Sequence, residues 1–259
     1  MAHGGAPLKV FLTGASSGLG EALARHYAQR GATLGLVARR ENELARVAAA
    51  LAPATVATYA ADVRDADAMI AAARDYIARH GVPDIVIANA GVSRGTLADH
   101  AEDLAAFRAV FDTNVIGIVH TFHPFLGPMR AARHGTLVGV ASVAGFRGLP
   151  GAAAYSASKA AAMTLLESLR VELRGSGVSV VTIAPGYVAT PMTAANPYRM
   201  PFLMRADRAA ASIARAIARR KRFHVLPWPM ALVGRLLRAL PRTLYDRAFA
   251  KAPRKPRQS

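Results

Sequence analysis

Thr13-Gly14-Ala15-Ser16-Ser17-Gly18-Leu19-Gly20 separates a short apolar run, Leu8 to Leu12, from a segment of helical spacing. In that segment, Gly20 to Arg30, residues Leu23, Ala24, Tyr27 and Ala28 fall on one side. The order is strand, tight turn, helix, and it recurs along the chain. Gly31 stops the helix, and Thr33 to Val37 forms a second strand. A helix over Glu41 to Leu51, a strand over Thr55 to Ala60, a helix over Ala66 to His80 and a buried strand Asp84 to Ala88 follow. The second half reads as a long helix from Leu104 to Arg130 interrupted near Pro124, a strand Thr136 to Ala141 and a helix Ala153 to Arg174. A strand Val178 to Ile183 closed by Pro185-Gly186, a helix Asp207 to Arg220 and a last strand Phe223 to Leu226 complete it. Strands alternating with helices of this length imply βαβ units, hence a single α/β domain built on a doubly wound parallel sheet with helices on both faces.

The composition agrees. With 259 residues, 53% of them hydrophobic, the chain can bury a large core, and no Pro/Ser/Gly-rich linker divides it. The absence of cysteine excludes a disulfide scaffold, a thiol nucleophile and thiolate metal sites. Met1 to Pro7 lacks the apolar stretch of a signal peptide, and no window offers about 18 uninterrupted apolar residues, so the expected location is cytoplasmic. The net charge of +17 is uneven: Arg205 to Ser259 holds 15 Lys+Arg against Asp207 and Asp246, which is +13, and the first 204 residues carry the remaining +4. A near-neutral body argues against nucleic-acid binding.

The glycines of the first turn, Gly14, Gly18 and Gly20, let backbone approach a ligand closely. The free N–H groups around Ser16, Ser17 and Leu19, with the positive end of the helix dipole, suit bound phosphates. At the first βα junction this points to a Rossmann-type dinucleotide site. The same letters contain Gly14-x-Ser16-x-Gly18, the nucleophile elbow of serine hydrolases, with Asp207 and His224 as the nearest candidate pair of triad partners in that order. No backbone-donor motif accompanies it, which disfavours that reading. After the second strand stands Ala38-Arg39-Arg40 where a carboxylate would read a ribose 2′-hydroxyl; guanidinium groups grip a 2′-phosphate, so NADP(H) is expected. The alternative is that both arginines merely start the next helix in solvent.

Tyr155 and Lys159 lie at i and i+4, on one helix face. A free tyrosine, with pKa near 10, is only about 0.1% ionised at pH 7, so acid–base work needs its phenolate supported by positive charge. Ser142, just past the strand Thr136 to Ala141, would stand at the carboxyl edge of the sheet, where it could orient a carbonyl or bond its own turn. Alone, Tyr-x-x-x-Lys is equally an ordinary solvated helix face.

Taken together, Thr13 to Gly20, Asp62-Val63, Asn89-Ala90-Gly91, Asn114, Ser142, Tyr155 with Lys159, and Pro185-Gly186 with Thr190 resemble the classical short-chain dehydrogenase/reductase family over residues 8 to 227. The resemblance implies an oxidoreductase with Tyr155 as general acid, Lys159 as its electrostatic partner and ribose ligand, and Ser142 orienting the carbonyl. It further implies that Asn114 holds a water linking Lys159 to solvent. Asp62 and Val63 would contact adenine, and Asn89, Ala90 and Gly91 would pack on the cofactor. Pro185, Gly186, Val188 and Thr190 would approach its nicotinamide end. Ala88 departs from the family, which usually has asparagine there. A homo-oligomer, dimer or tetramer, is also implied.

Residues 1–227 thus read as an NADP-binding catalytic domain, with a substrate flap at 190–205 and a basic amphipathic extension at 228–259. The flap carries Met192, Met200, Phe202, Leu203 and Met204, which suit an apolar or lipid-like carbonyl substrate. His120 and His123 lie three apart, but no carboxylate completes a metal site, and none is expected. Along 228–249, Met230, Leu232, Val233, Leu236, Leu237, Leu240, Leu244 and Phe249 oppose Arg235, Arg238 and Arg242. Such a helix covers its own body or a partner, attaches peripherally to a membrane, or, least in keeping with the body, meets nucleic acid. A dinucleotide-binding sensor or scaffold without turnover is the alternative class of function, although it would have no need of Ser142, Tyr155, Lys159 and Asn114 together.

Overall fold

Runs of Val, Ile and Leu bounded by turn residues form strands that are buried on both faces. In the computed structural model, which describes residues 6–194, 196, 198–250, 252, 254, 255 and 257, they build one seven-stranded parallel sheet. The chain runs β1 (Lys9–Thr13), α1 (Gly18–Ala28), β2 (Thr33–Ala38), α2 (Glu41–Ala49), β3 (Val56–Ala60), α3 (Ala66–His80) and β4 (Ile85–Ala88). It continues through α4 (Leu104–Phe111), α5 (Gly117–Ala132), β5 (Gly135–Val140), α6 (Ala153–Glu172) and β6 (Val178–Pro185). Then come β7 (Val188–Ala189), α7 (Pro191–Ala194), β8 (Met204–Arg205), α8 (Ala206–Ala218), β9 (Phe223–Leu226), α9 (Trp228–Ala239) and α10 (Arg242–Phe249). The sheet order is β3-β2-β1-β4-β5-β6-β9. The order reverses between β1 and β4, and the crevice beyond those strand ends is where open α/β sheets bind ligands.

Alternating residues of each strand face opposite layers. Val10 and Leu12 of β1 join Leu23, Leu44 and Ile213, so α1, α2 and α8 cover one face. Phe11 turns the other way, to Met69, Phe125 and Leu166 of α3, α5 and α6. There its ring lies 4.8 Å from Phe125 and 5.4 Å from Tyr76, whose hydroxyl donates to the Thr33 carbonyl at 3.2 Å. Ala88, the departure from the family pattern, is buried in this second layer.

Two expectations change. The long helix is interrupted at Asp112–Ile116, a π-helical turn between α4 and α5, and not near Pro124. Pro124 and Pro128 lie inside α5. Four residues apart, they leave two carbonyls free along one partly exposed row, which a helix packed on its other face tolerates. The flap is more ordered than an irregular segment: β7 and β8 pair in parallel, and Thr193 of α7 donates to the Val188 carbonyl at 2.6 Å while accepting from the Thr190 N–H at 3.1 Å. Met204 packs against the core, and Phe202 and Leu203 remain exposed.

The extension lies on the body. Met230 is buried, Gly234 meets the Phe146 ring, and Arg147 donates to the Leu237 carbonyl at 3.2 Å and stacks over Tyr245 at 4.4 Å. Its outer row of Trp228, Leu232 and Leu236 is exposed. No helix among the described residues is long and apolar enough to cross a membrane.

Phe125→Ala should lower unfolding free energy by about 3–5 kcal/mol, since it empties the centre of an aromatic cluster that cannot collapse around the gap. Urea unfolding followed by circular dichroism measures it, and Phe125→Leu should recover part of the loss.

Candidate active site

The site begins at the turn after β1. Gly14 and Gly18 hold φ of +69° and +58°, values that disfavour any Cβ, and a Cβ at Gly20 would stand 2.0 Å from the Gly14 carbonyl oxygen. The turn is fastened to the end of β4: Asn89 Nδ2 donates to the carbonyls of Thr13 (3.0 Å) and Gly14 (3.2 Å), and Thr13 Oγ1 accepts from the Asn89 and Ala90 N–H groups at 3.2 and 3.3 Å. Thr13 is therefore the residue that joins the two strands at the switch point.

At the end of β2, Arg40 reaches back over this turn and donates to Ser16 Oγ and Ser17 Oγ, each at 3.2 Å. Arg39 takes the other direction, 3.8 Å from Asp62, which also pairs with Arg64 at 2.6 Å. Partial burial works against ionisation of Asp62, but the Arg64 guanidinium and backbone N–H, with the charge of Arg39, hold its carboxyl below the usual range. Val63 is positioned by His120, whose Nδ1 lies 3.0 Å from the Val63 carbonyl.

The chemical end is built on the edges of β4, β5 and β6. Asn114, in the π turn, is fully buried; its Oδ1 accepts from the Val92 N–H at 2.8 Å, and its Nδ2 donates to the Val92 carbonyl at 2.9 Å and to Ser158 Oγ at 3.0 Å. Gly91 leaves room for this: a Cβ there would lie 3.1 Å from Asn114 Oδ1 and 3.4 Å from Lys159 Nζ. Lys159 is 5% exposed, and its ammonium donates to the Val140 carbonyl at 2.8 Å and lies 5.9 Å from the centre of the Tyr155 ring. Of its three N–H donors the protein engages that one, which leaves donors for ligand hydroxyls.

Burial alone lowers the Lys159 pKa to about 8. The same desolvation raises that of Tyr155, partly opposed by a hydrogen bond from Ser142. Ser142 also bonds its own turn, its Oγ accepting from the Ala144 N–H at 3.2 Å. The first turn of α6, which carries Tyr155, is pinned by Thr96, whose Oγ1 accepts from the Ala154 N–H at 3.2 Å.

One continuous cleft joins these parts. Every residue expected from the sequence to bind cofactor lines it, from Gly14 through Arg39, Arg40, Asp62 and Asn89 to Pro185, Gly186, Val188 and Thr190. Ser142, Tyr155 and Lys159 lie in the same wall, and Asn114 stands behind it. Among the lining residues that sequence reasoning did not name as binding are Val92 and Thr113, and it placed Pro191 and Thr193 only within the flap; proximity to motif residues was the signal for all four. The hydrolase set is not assembled: Ser16 receives Arg40, His224 pairs with Ser212 at 3.1 Å and Asp207 with Arg205 at 2.9 Å.

Residues 9–200 match the sequence profile of the family described as short chain dehydrogenase. The chain belongs to that family. Among relatives of this short-chain dehydrogenase, an uncharacterised oxidoreductase of Myxococcus xanthus is 44% identical over 92% of this chain and 94% of its own. The 11-beta-hydroxysteroid dehydrogenase 1A of Arabidopsis thaliana is 38% identical over 71% of this chain, which spans about half (53%) of that protein. Two solved structures are similar. One is a short chain dehydrogenase/reductase of Burkholderia phymatum in complex with NAD, with TM-score 0.81, 27% identity and 98% of both chains covered. The other is an alcohol dehydrogenase of Thermococcus sibiricus complexed with 5-hydroxy-NADP, with TM-score 0.75, 26% identity, and 85% of this chain and 95% of that one covered.

The depressed Lys159 pKa fixes a pH dependence for this short-chain dehydrogenase without ligand. Between about pH 8 and the unfolded value near 10.5 the unfolded chain binds the extra proton, so stability rises with pH, by at most about 3 kcal/mol. Urea unfolding at intervals from pH 8 to pH 9.5 should show this gain in the wild type, and Lys159→Met should lack it.

Proposed function

We propose that the protein is an NADP(H)-dependent oxidoreductase that interconverts a ketone or aldehyde with its alcohol, acting on substrates of apolar, lipid-like character. The observation that carries the reading is a single cleft with Arg40 on the Ser16–Ser17 turn at one end and Ser142, Tyr155 and Lys159 at the other. Two hydroxyls and a guanidinium converge where a 2′-phosphate would be gripped, and no carboxylate of β2 stands there to repel it. The named cofactors of the two similar structures differ, NAD in one and an NADP derivative in the other, so the choice rests on Arg39 and Arg40.

When bound, the nicotinamide supplies or accepts the hydride. In the reducing direction Ser142 orients the carbonyl oxygen and Tyr155 gives it a proton, a role that suits a phenol kept protonated by its surroundings. Lys159 then stabilises the phenolate and binds the ribose through its remaining donors. The proton returns from solvent through Lys159 and a water beside Asn114. The apolar substrate is supported by Met192 in the cleft wall, by the exposed Phe202 and Leu203 of the same flap, and by the steroid-dehydrogenase name of the plant relative.

Tyr155→Phe should lower kcat on a panel of ketones and aldehydes by about 10²–10⁴ while the Kd for NADPH stays within about threefold. Turnover retained in that variant excludes the mechanism, and a wild type that binds NADPH but reduces nothing favours a sensor. Arg40→Ala should raise KM for NADPH about tenfold or more, from the loss of charge-assisted bonds, and KM for NADH by less than about threefold. An equal effect on both cofactors would overturn the 2′-phosphate assignment.

A further inference from the structure

The C-terminal tail returns to the catalytic tyrosine. Beyond α10, Arg254 lies against Gly151, at the loop that leads into α6. Lys255 Nζ donates to Ser93 Oγ at 2.7 Å and lies 5.9 Å from the centre of the Tyr155 ring, on which Lys159 bears at the same distance. Arg257 fixes this position: it pairs with Asp103 at 2.9 Å and Glu102 at 3.0 Å, and its backbone bridges to Gly95. Asp103 is itself buried and accepts from the Leu97 N–H at 2.8 Å, so the anchor is built into the segment between β4 and α4.

Lys255 is not an ordinary surface cation. It is half-buried, and desolvation holds its pKa below the usual lysine range. Among the described residues no carboxylate lies within ion-pair distance of its ammonium, and its one polar side-chain partner is the neutral Ser93 hydroxyl. Arg257, two residues on, takes the acidic partners available there. A partly desolvated cation beside the reacting tyrosine, lacking a counter-charge, is stabilised by an anion brought in with the substrate.

We propose that Lys255 is a specificity-determining residue that reads a carboxylate, so that the preferred substrates are oxo carboxylic acids with an apolar body between the reacting carbonyl and the acid group. This rests on the carbonyl-reductase reading above and narrows it. Arg257 is a positioning residue that holds Lys255 beside Tyr155.

The test compares oxo carboxylic acids of increasing chain length with their methyl esters, as kcat/KM with NADPH, in the full-length wild type, Lys255→Gln and Arg257→Gln. The wild type should prefer the acid over its ester by about tenfold to a hundredfold, the range of a charge-assisted hydrogen bond. Lys255→Gln should bring that ratio close to one, chiefly through KM for the acid, and Arg257→Gln should lower it in the same direction. A ratio that Lys255→Gln leaves unchanged overturns the proposal. Titration of the wild type and Lys255→Gln with saturated fatty acids of matched length gives a readout independent of turnover. Tighter binding to the wild type without reduction of any carbonyl would uphold the carboxylate site while the reductase reading fails. Equal binding to both proteins would overturn the site itself.

Discussion

The burial of one ammonium group governs the arrangement of the Ser142–Tyr155–Lys159 end of the cleft. Placing Lys159 between α6 and the edge of β5 removes most of its hydration, at a cost of several kcal/mol that a single bond to the Val140 carbonyl does not offset. Its neighbours are shaped around that cost. Gly91 withholds a side chain so that Nζ and Asn114 fit, and Val92 and Ser158 engage both ends of the Asn114 amide. The same desolvation moves Lys159 and Tyr155 in opposite directions, the amine down and the phenol up. The uncharged phenol is therefore the resting form, and the ammonium gains most when a phenolate or another negative group arrives beside it. A phenol so held keeps its proton at neutral pH, and ionising it needs additional positive charge beside it.

The other half of the cleft follows from sheet order. Because β1 lies between β2 and β4, the turn after β1 is flanked by Arg39 and Arg40 on one side and by Asn89 on the other. Thr13 couples the two strand ends through hydrogen bonds that involve no ligand, so the glycine-rich turn is preorganised by the protein alone. The π turn does the equivalent work at the far end. One extra residue in the α4–α5 register turns Asn114 inward against Val92, and the strand end that carries Asn89 to Gly91 is thereby clamped at both ends.

The strands and most helices were legible because parallel strands buried on both faces leave continuous apolar runs, as in Val178 to Ile183. The site was legible where chemistry depends on local spacing: Tyr155 and Lys159 one helical turn apart, and the glycines of the first turn. The break in the long helix was placed wrongly because proline is the visible signal of a break, whereas a shift of hydrogen-bond register at Asp112–Ile116 leaves no mark in composition. The order of the flap depends on Thr193, an unremarkable letter until its hydroxyl bridges Val188 and Thr190. Ser93 and Lys255 are 162 positions apart, a juxtaposition that no periodicity encodes.

The excess of basic residues in the last quarter of the chain acquires several distinct meanings once it is folded. Arg205 is spent on Asp207, while Arg235, Arg238 and Arg242 ride on the exposed side of the final helices. Arg257 neutralises a buried acid, and Lys255 lies 5.9 Å from the centre of the Tyr155 ring. The packing of α9 has a matching consequence. Met230 lies under Gly186, which lines the cleft, and Gly234 lies against Phe146 in the loop that follows Ser142. The extension therefore braces both loops that flank Ser142 and Tyr155 before its tail crosses to Tyr155. Its apolar inner face and its charged end act on the same site, one by support and the other by charge.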